Sequence, residues 1–181
     1  MNDPRDNVHI CKVIDWYKDK YPHIESNEPS IASLDSISIW TAHILHPLEK
    51  QFGEVKITYG FTSPQLLKEI KKFNPKGIAP NLDQHAAHEN NAKGKPHCGR
   101  LGVACDIEVP EYKTKMDHVA NWISINLKYD RLYFYGPDRP IHISVGPDNS
   151  KFIQIMGTSK TGKRVPKRNG INVPFSNLWE G

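Results

Sequence analysis

Apolar positions along this chain fall into two rhythms, a helical one early and an alternating one later. Ile10, Val13, Ile14 and Tyr17 sit at helical spacing and predict a helix from about Val8 to Tyr21. Pro22, Asn27 and Pro29 then mark a loop. Trp40, Ile44, Leu45, Leu48 and Phe52 share one face of a second predicted helix, from about Ser36 to Gln51, which Gly53 ends. The β-branched alternation of Val55 to Tyr59 predicts a strand. Ser63 and Pro64 open a short helix reaching about Lys72, with serine as cap and proline in the first turn. Asn74 to Gly99 reads as loop.

Beyond that loop the period shortens. Gly102 to Val109 predicts a strand, and Lys115 to Asn126 a helix with Met116, Val119, Ala120 and Ile123 inward. Asp130 to Tyr135 and Ile141 to Val145 predict two strands, joined by a Gly136-to-Pro140 hairpin connection, and Lys151 to Met156 predicts one more. The expected fold is α+β, with N-terminal helices packed on a small, mostly antiparallel sheet. The expected divisions are an N-terminal helical segment (1–30), a central domain (31–150), and a final strand with a basic C-terminal tail (151–181).

Composition narrows the class. The 181 residues are 38% apolar and 24% charged, as in a soluble globular protein, and no run approaches the roughly 20 apolar residues of a membrane span. The N-terminus carries no apolar stretch long enough for a secretory signal, so a cytoplasmic start is expected, with release by lysis as a later route. Three cysteines, Cys11, Cys98 and Cys105, are too few and too irregular for a disulfide framework; Cys98 and Cys105 read as free buried thiols, with soft metal ligation the alternative, though no C-x-x-C pair is present. The net charge of +4 is modest but uneven. Lys151, Lys160, Lys163, Arg164, Lys167 and Arg168 follow one another with no acidic residue between 151 and 168. This stretch reads as a solvated, partly mobile tail; the alternative is contact with nucleic acid or another phosphate-rich partner. It carries no recognisable nucleic-acid-binding motif.

The candidate chemistry lies in histidines and carboxylates. Of nine histidines, His9, His23, His43, His46 and His118 sit in or beside helical stretches and read as structural or surface residues. Asp106 lies in an apolar strand between Cys105 and Ile107, where a carboxylate is costly unless paired or bound to metal. His142 lies between Ile141 and Ile143 in another such strand. A catalytic zinc site needs three protein ligands and one open position. His85, His88 and His97 all remain candidates for the third ligand.

The ordered set Asp83-Gln84-His85, Gly102-Val103-Ala104-Cys105-Asp106-Ile107 and Ile141-His142-Ile143-Ser144 resembles the zinc D-Ala-D-Ala carboxypeptidases and related phage endopeptidases, which share a fold with the hedgehog signalling domain. The resemblance extends over about residues 36–146. It implies a hedgehog/DD-peptidase-like fold, Zn²⁺ held by His85, Asp106 and His142, and hydrolysis of an amide in a peptide or peptidoglycan-like substrate. His85 is preferred over His97 and His88 because Gln84-His85 mimics the family's Ser-Gln-His; the choice requires a loop inserted between His85 and Gly102.

Three positions depart from the family pattern. Its first histidine would fall at Gly99, its catalytic glutamate at Arg139, and its substrate-positioning arginine at Thr62. Asp138 is the expected replacement base, with Glu89 a weaker one. Arg100 or Arg139 is expected to supply the missing positive charge toward substrate, and Ser144 or Tyr135 to meet the oxyanion. The alternative expectation is a zinc-containing binding module that has lost catalysis.

Overall fold

The structure is a computed structural model that describes residues 7–73 and 79–180. Part of the predicted loop (74–78), the first six residues of the N-terminal segment and residue 181 of the tail lie outside the described residues.

Helix α1 (Val8–Asp15) begins where the Asn7 side chain accepts a hydrogen bond from the His9 N–H at 2.9 Å, and it buries Ile10 and Val13. It is shorter than its apolar spacing predicts; residues 16–20 continue as turns. The second predicted helix starts earlier than expected. Helix α2 (Ile31–Trp40) is capped by Ser30, and Glu89 from the distant loop accepts from Ser30 N–H and Ser33 O–H at 2.8 and 2.7 Å. The chain continues through a π-helical turn (Thr41–Leu45) into α3 (His46–Phe52). Pro47 accounts for the widened turn, because it has no N–H to donate and its ring crowds the carbonyl one turn back. Gly53, at φ +80°, stops the helix.

Strand β1 (Lys56–Tyr59), helix α4 (Pro64–Phe73), strand β2 (Val103–Glu108), helix α5 (Met116–Asn126) and strands β3 (Arg131–Phe134), β4 (Ile141–Val145) and β5 (Phe152–Thr158) follow the predicted order. The basic stretch differs from expectation. Its second half is strand β6 (Arg164–Ile171), which folds back on β5 as an antiparallel edge strand. Exposed Lys167 and Arg168 with Pro166 hide it from a period-2 reading, and such residues also blunt an open sheet edge.

The sheet runs in the order β1-β2-β4-β3-β5-β6; β3 and β5 pair in parallel and the other described neighbours pair antiparallel. Alternation divides its two faces. Val103, Cys105 and Ile107 of β2, Leu132 and Phe134 of β3, and Ile141, Ile143 and Val145 of β4 join Trp40, Ile44, Leu45, Leu48, Val119 and Ile123 of the helices in one core. Asp106, His142, Tyr133 and Gln154 are successive cross-strand neighbours, and alternation turns them to the other face. Among the described residues no helix is long and apolar enough to cross a membrane.

Candidate metal centre

Asp106 and His142 are direct partners in the β2–β4 register, so the sheet itself brings them together. His142 Nδ1 lies 2.9 Å from Asp106 Oδ1. The third member comes from the loop before β2: His85 Nε2 lies 3.4 Å from the same oxygen. One donor atom from each of His85, Asp106 and His142 lies within 4.8 Å of the others, and this buried His–Asp–His group could hold a metal ion. His85 and His142 are almost fully buried, whereas the Asp106 side chain keeps 30% of its exposure.

Local structure fixes the loop histidine. Gln84 adopts φ +59°, an uncommon left-handed conformation, and is held there by its own side chain. Its amide donates to Leu101 O at 2.7 Å and to Asp130 Oδ2 at 3.3 Å, and accepts from Ser144 O–H at 2.8 Å. The His85 carbonyl accepts from Thr62 N–H at 3.1 Å. The His85 ring places Nδ1 against two backbone carbonyls, Ala104 O at 3.0 Å and Gly60 O at 3.2 Å.

Both ring nitrogens of His85 therefore face oxygen acceptors. A neutral imidazole has one N–H, which can serve only one of these two edges; take it on Nδ1, toward the two carbonyls. That leaves the Nε2 lone pair facing a carboxylate, which is repulsive unless a cation lies there. The cation is either a second proton or a metal ion. The same logic sets the charges in the metal-free site. Burial opposes ionising His85, but the Asp106 charge and hydrogen bond outweigh it and raise the His85 pKa. Burial likewise opposes ionising Asp106, yet the His85 charge and the hydrogen bonds of both imidazoles hold its carboxyl well below the usual carboxylate range. Metal-bound histidines fix their tautomer by turning the other ring nitrogen to a carbonyl or carboxylate, as His85 Nδ1 does here toward Ala104 O and Gly60 O. Two imidazoles and a carboxylate are a donor set suited to a borderline divalent ion.

Aromatic rings wall the cluster. Tyr133 stacks on His142 with centroids 4.8 Å apart and planes 12° apart, and Tyr59 meets the His85 ring edge-on at 4.4 Å. His142 Nε2 is buried without a hydrogen-bond partner among the described residues, so its ring is oriented by Asp106 and by this stacking.

The other sequence candidates are dispersed. His88 Nε2 accepts from Gly102 N–H at 3.0 Å and meets Ser36 Oγ at 3.0 Å, which pins the loop to β2 and α2. His97 sits further along the loop, its N–H donating to Glu89 O at 2.8 Å. Neither belongs to the cluster. Glu89 is spent on the α2 N-terminus. Ser144, fully buried, donates to Gln84 and accepts from Arg131 N–H at 3.0 Å, which makes it a framework residue. Arg100 donates to Leu82 O at 2.6 Å and to Tyr133 Oη at 3.3 Å, so it reaches the cluster only through the tyrosine that stacks on His142. Asp138 is exposed in the β3–β4 turn with Oδ1 turned back over Gly136, and it is outside the cluster. Cys98 and Cys105 are buried thiols, as expected, and lie outside it too.

Asp106 opens onto a cavity of about 320 Å³ walled by Tyr135, Arg139, Met156, Thr158 and Arg164. Burial pushes the Tyr135 phenol well up, so it stays a proton donor at neutral pH. Sequence reasoning gave Gln84, Tyr133 and Arg164 no role of their own at the site. Tyr133 was findable, because the hairpin register puts it beside His142 once Leu132 and Phe134 are assigned to the core. Nothing in the sequence around Gln84 announces its left-handed backbone. No family model matches the chain, and neither a curated protein nor a solved structure matches it.

Proposed function

We propose that this chain is a zinc-dependent hydrolase of DD-peptidase type, cleaving an amide bond in a peptide or peptidoglycan-like substrate. The observation that carries the reading is the acceptor-on-both-sides environment of His85, which calls for a cation between His85 Nε2, Asp106 and His142. Zinc, when bound by these three residues, supplies a Lewis acid and a water acidified toward neutral pH. The chain's own residues supply the rest. Ala104 O and Gly60 O orient His85, and Tyr133 orients His142. Tyr135, protonated and lining the cavity beside Asp106, donates to the developing oxyanion. Asp138 is the proposed base, and the Gly136–Pro140 turn must swing its carboxylate off Gly136 to serve. The test is hydrolysis of peptide and peptidoglycan fragments by the zinc-loaded chain. We expect activity that a chelator removes, and at least a hundredfold loss in Asp138→Asn with zinc retained.

A second reading has its own support. Apart from Asp106, no carboxylate among the described residues lines the cavity, and Arg139 stands where the resembled family has its glutamate. A zinc-containing binding module with an anionic partner fits that arrangement. It becomes the better account if zinc binds, no amide is cleaved, and Asp138→Asn changes nothing.

A further inference from the structure

The β5–β6 hairpin brings an arginine into the cavity that Asp106 lines. Arg164 is the first residue of β6, opposite Thr158 in the register, and both line the cavity onto which Asp106 opens. Its guanidinium lies over the Tyr135 ring, 4.7 Å from the centroid, a cation–π contact that orients the group. Arg139 enters the same cavity from the β3–β4 turn. Residues far apart in the chain thus converge on one space.

These two arginines are unspent. Arg131 packs on Phe152 and Asp130, Arg168 reaches Glu180, and Arg100 is bonded to Leu82 O and Tyr133. Among the described residues the guanidinium of neither Arg139 nor Arg164 has a hydrogen bond or an ion pair. Among the described residues Asp106 is the one carboxylate lining the cavity, and it is already claimed by two imidazoles. Two guanidinium groups beside one neutralised carboxylate leave the space cationic before any metal enters, and more so after. Planar guanidinium forks pair with carboxylate and phosphate oxygens.

We propose that Arg139 and Arg164 clamp an anionic group of the substrate, a carboxylate or a phosphate, next to the metal cluster. This deepens the hydrolase reading and rests on it for the word substrate; the anion site itself does not require catalysis. It also gives the basic C-terminal stretch a role. One member of that stretch, Arg164, faces the cavity, while Lys160 at the hairpin tip does not line it.

Calorimetric titration of the full chain with inorganic phosphate and, separately, with acetate tests the clamp. Each titration is run with zinc and after chelation. We expect one of the two anions to bind, and Arg139→Gln and Arg164→Gln each to weaken it about tenfold, the loss of a charge-assisted pair. Lys160→Gln is expected to bind as the parent does. Phosphate and acetate differ in which binds, and that result names the group. The clamp is overturned if neither anion binds, if the arginine variants bind unchanged, or if Lys160→Gln weakens binding as much as they do. Arginine-dependent binding by a chain that takes up no zinc would sink the hydrolase reading and leave the clamp standing. The exposed positions of both arginines keep the variants folded, which a thermal melt checks.

Discussion

A single ring decides the chemistry of the site. His85 faces carbonyl oxygens on one edge and a carboxylate on the other, so it must hold either an extra proton or a metal. The pH behaviour follows with opposite signs for its two members. His85 has its folded pKa raised, so its contribution to the metal-free fold is complete below the ordinary histidine value and is lost as pH rises through the raised one. Asp106 has its pKa lowered, so its contribution is present above the ordinary carboxylate range and is lost as pH falls through the depressed value. The metal-free pair is therefore most favourable in mildly acidic solution. Zinc must displace the His85 proton, so its affinity is expected to climb as pH rises through the raised His85 value. Ring-proton NMR of the chelated chain checks this: His85 should titrate above about 6.5, the ordinary histidine value, and stop titrating when zinc is added. Titration below that value would remove the argument for a cation at Nε2.

At the scale of elements, the β2–β4 pair is the frame of the centre, and Gly102 is its corner. Gly102 sits at φ +76° just before β2, and a Cβ there would run into the Val145 carbonyl and the Gly146 Cα. Gly102→Ala is expected to cost about 3 kcal/mol or more in chemical denaturation and to weaken zinc binding with it, since the register that faces Asp106 to His142 begins there. Unchanged stability would show that the strand pair tolerates a shift. The elements were largely legible because Ile–His–Ile and Cys–Asp–Ile alternate apolar and polar positions, and a half-buried strand must do so. The helix start at Ile31 was hidden because Ser30 works as a cap together with Glu89, far away in sequence. Strand β6 was hidden because an edge strand needs few apolar residues, and Asp106 with His142 was easier to read than His85 because register is local to a strand pair while a loop is held by scattered bonds.

Across the whole molecule, three separate segments meet at one point: the loop before β2, β2 itself and β4. Joining them costs chain entropy that a bound ion offsets, so metal binding and stability are coupled. At a hundredfold excess over Kd, zinc is expected to add about 2.7 kcal/mol to unfolding. On the proposed reading, the cavity beside the cluster, with the side chains of Arg139 and Arg164 in its lining, selects which molecules would reach a bound ion. The hydrolase reading depends on the group His85, Asp106 and His142 holding a metal. Metal analysis of the zinc-equilibrated, desalted chain, run beside His85→Gln and His142→Ala, addresses that directly. The account predicts about one zinc per wild-type chain and none retained by either variant. A wild-type chain without zinc, or a His142→Ala chain with its full complement, would contradict it.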